Sequence, residues 1–73
     1  MDAATYKTII GGKIRAARRA NGMSVEKLAL MIGVNRNYLR NIELGRANPT
    51  LDIIMKIADG LGLAIWELMS PDK

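Results

Sequence analysis

The stretch "VEKLALMIGVNRNYLRNIELG", residues 25–45, is the part of the sequence that most clearly indicates a fold. It contains two runs of apolar residues at helical spacing, and only Gly33, Val34 and Asn35 separate them. Ser24 and Asn35 precede the two runs, and both residue types accept hydrogen bonds from the first amides of a helix. A short glycine-containing turn between two helices indicates a helix-turn-helix.

Outside this stretch, turn residues divide the chain into helix-sized intervals of about 8–12 residues. Since no segment alternates polar and apolar residues, strands are not expected. We therefore predict a compact all-α domain of five short helices over residues 9–70. Residues 1–8 are interpreted as a tail or a helix extension, because Gly11 and Gly12 leave the start of the first helix open, and residues 71–73 as a tail. The predicted inward positions are Ile10, Ile14, Ala17, Leu28, Ala29, Ile32, Leu39, Ile42, Leu51, Ile54, Ile57, Ala58 and Leu61.

The composition narrows the possible functions. The chain has 73 residues and contains neither His nor Cys. It therefore lacks the commonest general base and the thiolate metal ligands, and no paired carboxylates are apparent. We expect neither an enzyme nor a cofactor or metal site. No apolar run approaches the roughly 20 residues that span a bilayer, and no signal peptide is present. These features predict a cytoplasmic protein with no membrane partner.

Charge is distributed unevenly along the chain. Residues 1–46 hold nine Lys and Arg against three Asp and Glu, whereas residues 47–73 hold two against four. A basic part and a mildly acidic part suggest one side that faces a polyanion, although a charged surface that keeps the protein soluble is the alternative.

The third predicted helix presents an unusual outer face. If Leu39 and Ile42 point inward, then Asn37, Arg40, Asn41 and Leu44 point most directly outward, and Arg36 is exposed at the N-terminal end. Asn pairs bidentately with adenine and Arg with guanine in the major groove of DNA. A plain solvated face would more often carry Glu and Lys, so we interpret this face as a DNA contact.

From Ile10 to Met69 the chain resembles the phage repressor/Cro-like (XRE) helix-turn-helix family, over about four-fifths of its length. Family-type residues such as Ala29, Gly33 and Pro49 stand at the family spacing. The matching segments are "IGGKIRAARRANGMS", "VEKLALMIGVN", "RNYLRNIELGRANPT" and "LDIIMKIADGLGLAIWELM". The resemblance implies a five-helix lambda-repressor-like fold. It also implies that the helix over residues 35–44 enters the major groove and that the second helix lies across it near the backbone.

The resemblance assigns roles to individual residues. Family position makes Arg36, Asn37 and Asn41 base-reading residues, and Arg40 a contact to either a base or a phosphate. Arg18 and Glu43 resemble a structural ion pair of the family that links the first and third helices. Candidates for the DNA backbone are Lys27, Asn35, Tyr38, Arg46, Asn48 and Arg19, with Arg15 as an alternative to Arg19. Asn35 is also the expected N-cap, and the structural role is favoured.

The sequence departs from the family at several positions. Val25 stands where Gln is frequent, and we interpret it as core packing in preference to contact with a thymine methyl. Leu30, Met31, Leu44 and Trp66 are apolar where the family is usually polar. We predict a homodimer through the C-terminal helices with Leu63, Trp66 and Met69 at the seam. The alternative is a tryptophan that is half-buried against its own chain.

Two functions compete on this basis. The first is sequence-specific binding of double-stranded DNA by a small transcriptional repressor, bacterial or phage-encoded and located on the nucleoid. A dimer would read a palindromic operator with half-sites about 10 bp apart or a multiple of that. The second is a protein-interaction module with a protein partner, an antitoxin or a restriction–modification controller on the same scaffold.

Overall fold

The computed structural model describes residues 2–70, and these form five helices without any strand among them. The helices are α1 Ala3–Ala20, α2 Val25–Ile32, α3 Arg36–Glu43, α4 Leu51–Leu61 and α5 Ile65–Met69. The predicted all-α, five-helix class is confirmed. The predicted tail over residues 71–73 lies outside the described residues.

Side chains of the type expected from the sequence cap the first four helices. Ser24 Oγ accepts a hydrogen bond from the Lys27 amide at 3.0 Å, and Thr50 Oγ1 accepts one from Ile53 at 3.2 Å. Asp2 caps α1, so the first helix includes residues 3–8 as a continuous extension. None of the described helices combines the length and the apolar character that a membrane crossing requires.

The core lies where α1, α2, α3 and α4 meet, and Leu68 of α5 packs into it. Its fully buried large side chains are Ile14, Leu28, Leu39, Ile42, Ile57 and Leu68. The predicted inward orientation of Leu51 is wrong, since 60% of this residue is exposed. It is the first residue of α4, where the apolar stripe extends past the end of the core, and it lines an open groove instead.

Gly11 brings α1 and α3 into backbone contact. A Cβ atom at this position would collide with the carbonyl oxygen of Ile42 and would lie 2.5 Å from that of Glu43. The glycine that costs helix propensity in α1 is therefore required by the neighbouring helix. It fixes how deeply the end of α3 sits against α1.

The turn between α2 and α3 is short because Gly33 adopts a left-handed conformation, with φ of 73°. The Val34 amide then donates to the carbonyl of Ala29 at 3.0 Å, which closes the end of α2. Asn35 follows as the N-cap of α3. Two helices thus meet through three residues, as a helix-turn-helix requires.

Candidate nucleic-acid interface

The outer face of α3 is built by its cap and its two inward residues. The Asn35 side chain accepts hydrogen bonds from the amides of Asn37 at 2.8 Å and Tyr38 at 3.2 Å. Leu39 and Ile42 are buried, so the helix can sit in only one rotation. All four predicted base-reading residues are exposed as a result: Arg36, Asn37, Arg40 and Asn41.

Arg18 and Glu43 join α1 to the end of α3. Arg18 Nε donates to Glu43 Oε2 at 2.7 Å, and Nη2 donates to Oε1 at 3.0 Å. A third bond runs from Nη1 to the carbonyl of Met23 at 2.8 Å, in the loop before α2. Hydrogen bonding to Glu43 raises the pKa of the Arg18 guanidinium above its ordinary value, so Arg18 keeps its positive charge. These are the two residues that the family resemblance paired.

A second ion pair lies at the surface and was not anticipated. Arg36 Nε is 3.0 Å from Glu26 Oε2, and both side chains are at least half exposed. Glu26 is the second residue of α2 and Arg36 the first of α3. No sequence spacing indicates this contact, because it depends on how the two helix starts meet in space.

Both ion pairs border a polar pocket of about 400 Å³ between α1, α2 and α3, which we call the arginine pocket. Five arginines and two glutamates line it, so three positive charges are in excess. Its lining residues are Arg15, Arg18, Arg19, Val25, Glu26, Arg36, Arg40, Glu43 and Leu44. The pocket therefore runs along one flank of α3 and is suited to a polyanion.

The predicted backbone contacts are distributed over three helices and the loop after α3. Lys27 and Arg19 are exposed on α2 and α1, and Arg46 and Asn48 are exposed in the loop after α3. Tyr38 is half-buried and packs partly on the core.

Val25 and Leu44, the unusual apolar residues near α3, have different surroundings. Val25 is half-buried and packs on the core, as predicted. Leu44 is 46% exposed at the C-terminal end of α3, where it forms part of the wall of the arginine pocket.

A separate, apolar surface is formed by residues of α4 and α5. Trp66 is 65% exposed, so the alternative of a tryptophan half-buried against its own chain is wrong. Met69 and Leu51 line an apolar groove of about 450 Å³ together with Tyr6 of α1. Leu63 is half-buried on its own core, which leaves less of it for a partner.

Within residues 2–70, no acidic side chains come together in a group that could hold a metal ion.

Comparison with known proteins places this arrangement in a family. The helix-turn-helix family model HTH_3 matches residues 14–66, which is more than half of the chain. The chain belongs to the HTH_3 helix-turn-helix family. The XRE-type resemblance found in the sequence is thereby confirmed. The matched residues of this HTH_3 protein run from the middle of α1 to Trp66 in α5, so they include the whole of α3.

Two curated relatives and one solved structure illustrate the similarity of this HTH_3 chain to characterised sequences. The chain is 31% identical over 65 residues to an uncharacterized HTH-type transcriptional regulator, y4dJ, of Sinorhizobium fredii, covering 89% of this chain and 84% of the relative. It is 38% identical over 64 residues to control protein C.BamHI of Bacillus amyloliquefaciens, and this match covers 86% of this chain and 79% of C.BamHI. The crystal structure of the restriction-modification controller protein C.AhdI from Aeromonas hydrophila superposes with a TM-score of 0.83 at 35% identity. The match covers 85% of this chain and 94% of C.AhdI.

Proposed function

We propose that this chain is a small transcriptional regulator that binds double-stranded DNA and reads base edges with the outer face of α3. One observation carries the proposal. Asn37 and Asn41 are exposed one turn apart on a helix whose inner side is buried and whose end is held by the Arg18–Glu43 ion pair. A side chain that reads a base must be held in place before binding, because ordering it at that moment costs affinity.

The charged groups around α3 fit the DNA backbone. The arginine pocket lies on one flank of α3, Lys27 is exposed on α2, and Arg46 and Asn48 are exposed in the loop after α3. Contacts of this kind set the position of a protein on the duplex, whereas the amide and guanidinium groups on α3 distinguish sequences. With double-stranded DNA as its ligand, the chain would act in the cytoplasm, on the nucleoid.

A homodimer through α4 and α5 completes the proposal. Trp66 and Met69 lie three residues apart on one face of α5, and Leu51 and Met55 lie four apart on α4. All four are exposed, and Met69 and Leu51 line the same groove. Apolar exposure that continues across two helices is typical of an interaction surface. A two-fold dimer would read a palindromic operator.

A controller of restriction–modification genes is the second candidate, and it would use the same interface. The names of C.BamHI and C.AhdI favour it, and the structural match covers 94% of C.AhdI. A protein-interaction module is a further alternative, for which the exposed Leu30 and Met31 on α2 offer a separate surface.

Selection of binding sites from random double-stranded DNA tests the proposal. We expect an enriched motif made of two inverted half-sites, with centres about 10 bp apart or a multiple of that. Selection at low salt that enriches no motif would refute sequence-specific binding. A motif with a single half-site would support base reading by α3 but would contradict the proposed dimer.

A further inference from the structure

We infer that Glu26 is a positioning residue that aims Arg36 at a guanine, and that it thereby sets the base preference at one operator position. This inference rests on the proposed function. It adds a residue on α2, outside the reading helix, to the groups that determine specificity.

The geometry of the pair carries the inference. Glu26 Oε2 contacts Nε of Arg36, at 3.0 Å. A guanidinium offers five N–H donors in a rigid planar fork, so a carboxylate held near Nε favours orientations in which the Nη atoms point away from it. A carboxylate on the Nε side leaves Nη donors for a second acceptor. The O6 and N7 atoms of guanine are the bidentate acceptors that such donors fit in the major groove.

Position on the helices explains why Arg36 needs such support. Arg36 is the first residue of α3, where its long side chain has no preceding helical turn to pack on. Half of the side chain is exposed, so the pair with Glu26 is the contact that the structure gives its guanidinium. The N-terminal residues of a recognition helix are those that reach base edges. Glu26 therefore restricts the Arg36 side chain at the end of α3 that is expected to reach the bases.

The sign of the charge also affects binding. Glu26 is exposed beside five arginines, on a surface that is proposed to face phosphates. A carboxylate there opposes attraction to DNA of any sequence, because non-specific affinity depends on the positive charge that neutralises phosphates. Glu26 thus weakens binding to all sequences alike, an effect that cancels in the ratio of specific to non-specific binding. Only the base contact that it supports increases that ratio.

Glu26→Gln provides the test, since it removes the charge and retains the shape. Binding is measured for the full chain on the selected duplex, on a duplex changed at the position where Arg36→Ala relaxes the preference, and on an unrelated duplex. We expect Glu26→Gln to reduce the guanine preference at that position about tenfold, within the range of a lost bidentate contact. We also expect tighter binding to the unrelated duplex. In the Arg36→Ala background, Glu26→Gln should leave the base preference unchanged, because its effect passes through Arg36.

Asp52→Asn is the matched control. Asp52 is also an exposed acid in the first turn of a helix, but it lies on α4 and outside the arginine pocket. It should leave the guanine preference as it is in the wild type. Unchanged thermal unfolding of Glu26→Gln would show that the fold is intact, as expected for an exposed pair.

Three outcomes would overturn the inference, and they differ in what they imply. If Glu26→Gln tightens binding to all three duplexes equally, Glu26 is a surface charge, and the proposed function stands. If Glu26→Gln changes a cytosine preference equally with and without Arg36, Glu26 reads a base directly. If the wild type binds all three duplexes equally, the proposed function fails together with the inference.

Discussion

Arg18 of α1 and Glu43 at the end of α3 face each other edge to edge, with N–O distances of 2.7 and 3.0 Å, across 25 residues of sequence. Both residues are more than nine-tenths buried. A bidentate arginine–carboxylate pair defines direction as well as distance. It therefore fixes the end of α3 relative to the rest of the domain, at the base of the arginine pocket that is proposed to face DNA.

Breaking this pair should destabilise the fold. Arg18→Ala leaves the Glu43 carboxylate buried without a partner, and we expect the free energy of unfolding to fall by about 3–5 kcal/mol in urea titration. Arg36→Ala is the matched control, since it breaks the exposed pair with Glu26 and should cost less than about 1 kcal/mol. Equal losses for the two variants would contradict the architectural role of Arg18.

The two adjacent glycines of α1 should respond in opposite ways to alanine. Gly11→Ala places a Cβ against the carbonyl oxygens of Ile42 and Glu43, which are backbone atoms and cannot rotate away. Its thermal midpoint should fall. Gly12→Ala meets nothing within 4 Å, so it should stabilise α1 by about 0.5–1 kcal/mol through helix propensity. A gain in both variants would show that α1 and α3 are further apart than described here.

The first turn of α1 should depend on pH. The hydrogen bond from the Thr5 amide to the Asp2 carboxylate favours the charged form, so the pKa of Asp2 is below its ordinary value in the folded chain. A lowered folded pKa contributes stability above the ordinary value, and that stability is lost as the pH falls through the folded pKa. The chemical shift of the Thr5 amide should follow this titration, and in Asp2→Ala the titration should be absent. If the pH midpoint of the Thr5 amide shift equals the ordinary pKa of an aspartate, Asp2 does not cap α1.

Trp66 should control association. Sedimentation of the wild type at high micromolar concentration should show a dimer, and Trp66→Ser should shift it to monomer, because tryptophan often contributes strongly to interfaces. Leu30→Ser is the control, since Leu30 is 84% exposed but lies on α2, outside the groove that Leu51 and Met69 line. A wild type that stays monomeric throughout would remove the dimer and with it the two-fold operator.

The elements that the sequence predicted well are those specified by local chemistry. Ser24, Gly33 and Asn35 define the ends of α2 and α3 through caps and a left-handed turn, and these depend on neighbouring residues only. Burial of Leu39 and Ile42 follows from helical period, and the exposure of Asn37 and Asn41 follows from it in turn. The core of the candidate interface was therefore predictable.

The rest depends on contacts between distant segments. From the sequence, Gly11 is expected only to weaken α1, because the sequence does not show how closely α3 approaches it. Leu51 continued an inward stripe, but periodicity does not show where the core ends along a helix. The Glu26–Arg36 contact joins two helices, and neither residue indicates it alone. Arg18 and Glu43 could be paired only through the family resemblance.

Parallel binding-site selections with three proteins test the claim that the outer face of α3 reads bases. The wild type should enrich a motif, and Asn41→Ala should lose preference at one position of each half-site, by about 1–3 kcal/mol. Lys27→Ala should retain the same motif and reduce the salt dependence of binding by about one unit, as expected for a phosphate contact. An Asn41→Ala protein that selects the wild-type motif with undiminished preference at every position would contradict the claim.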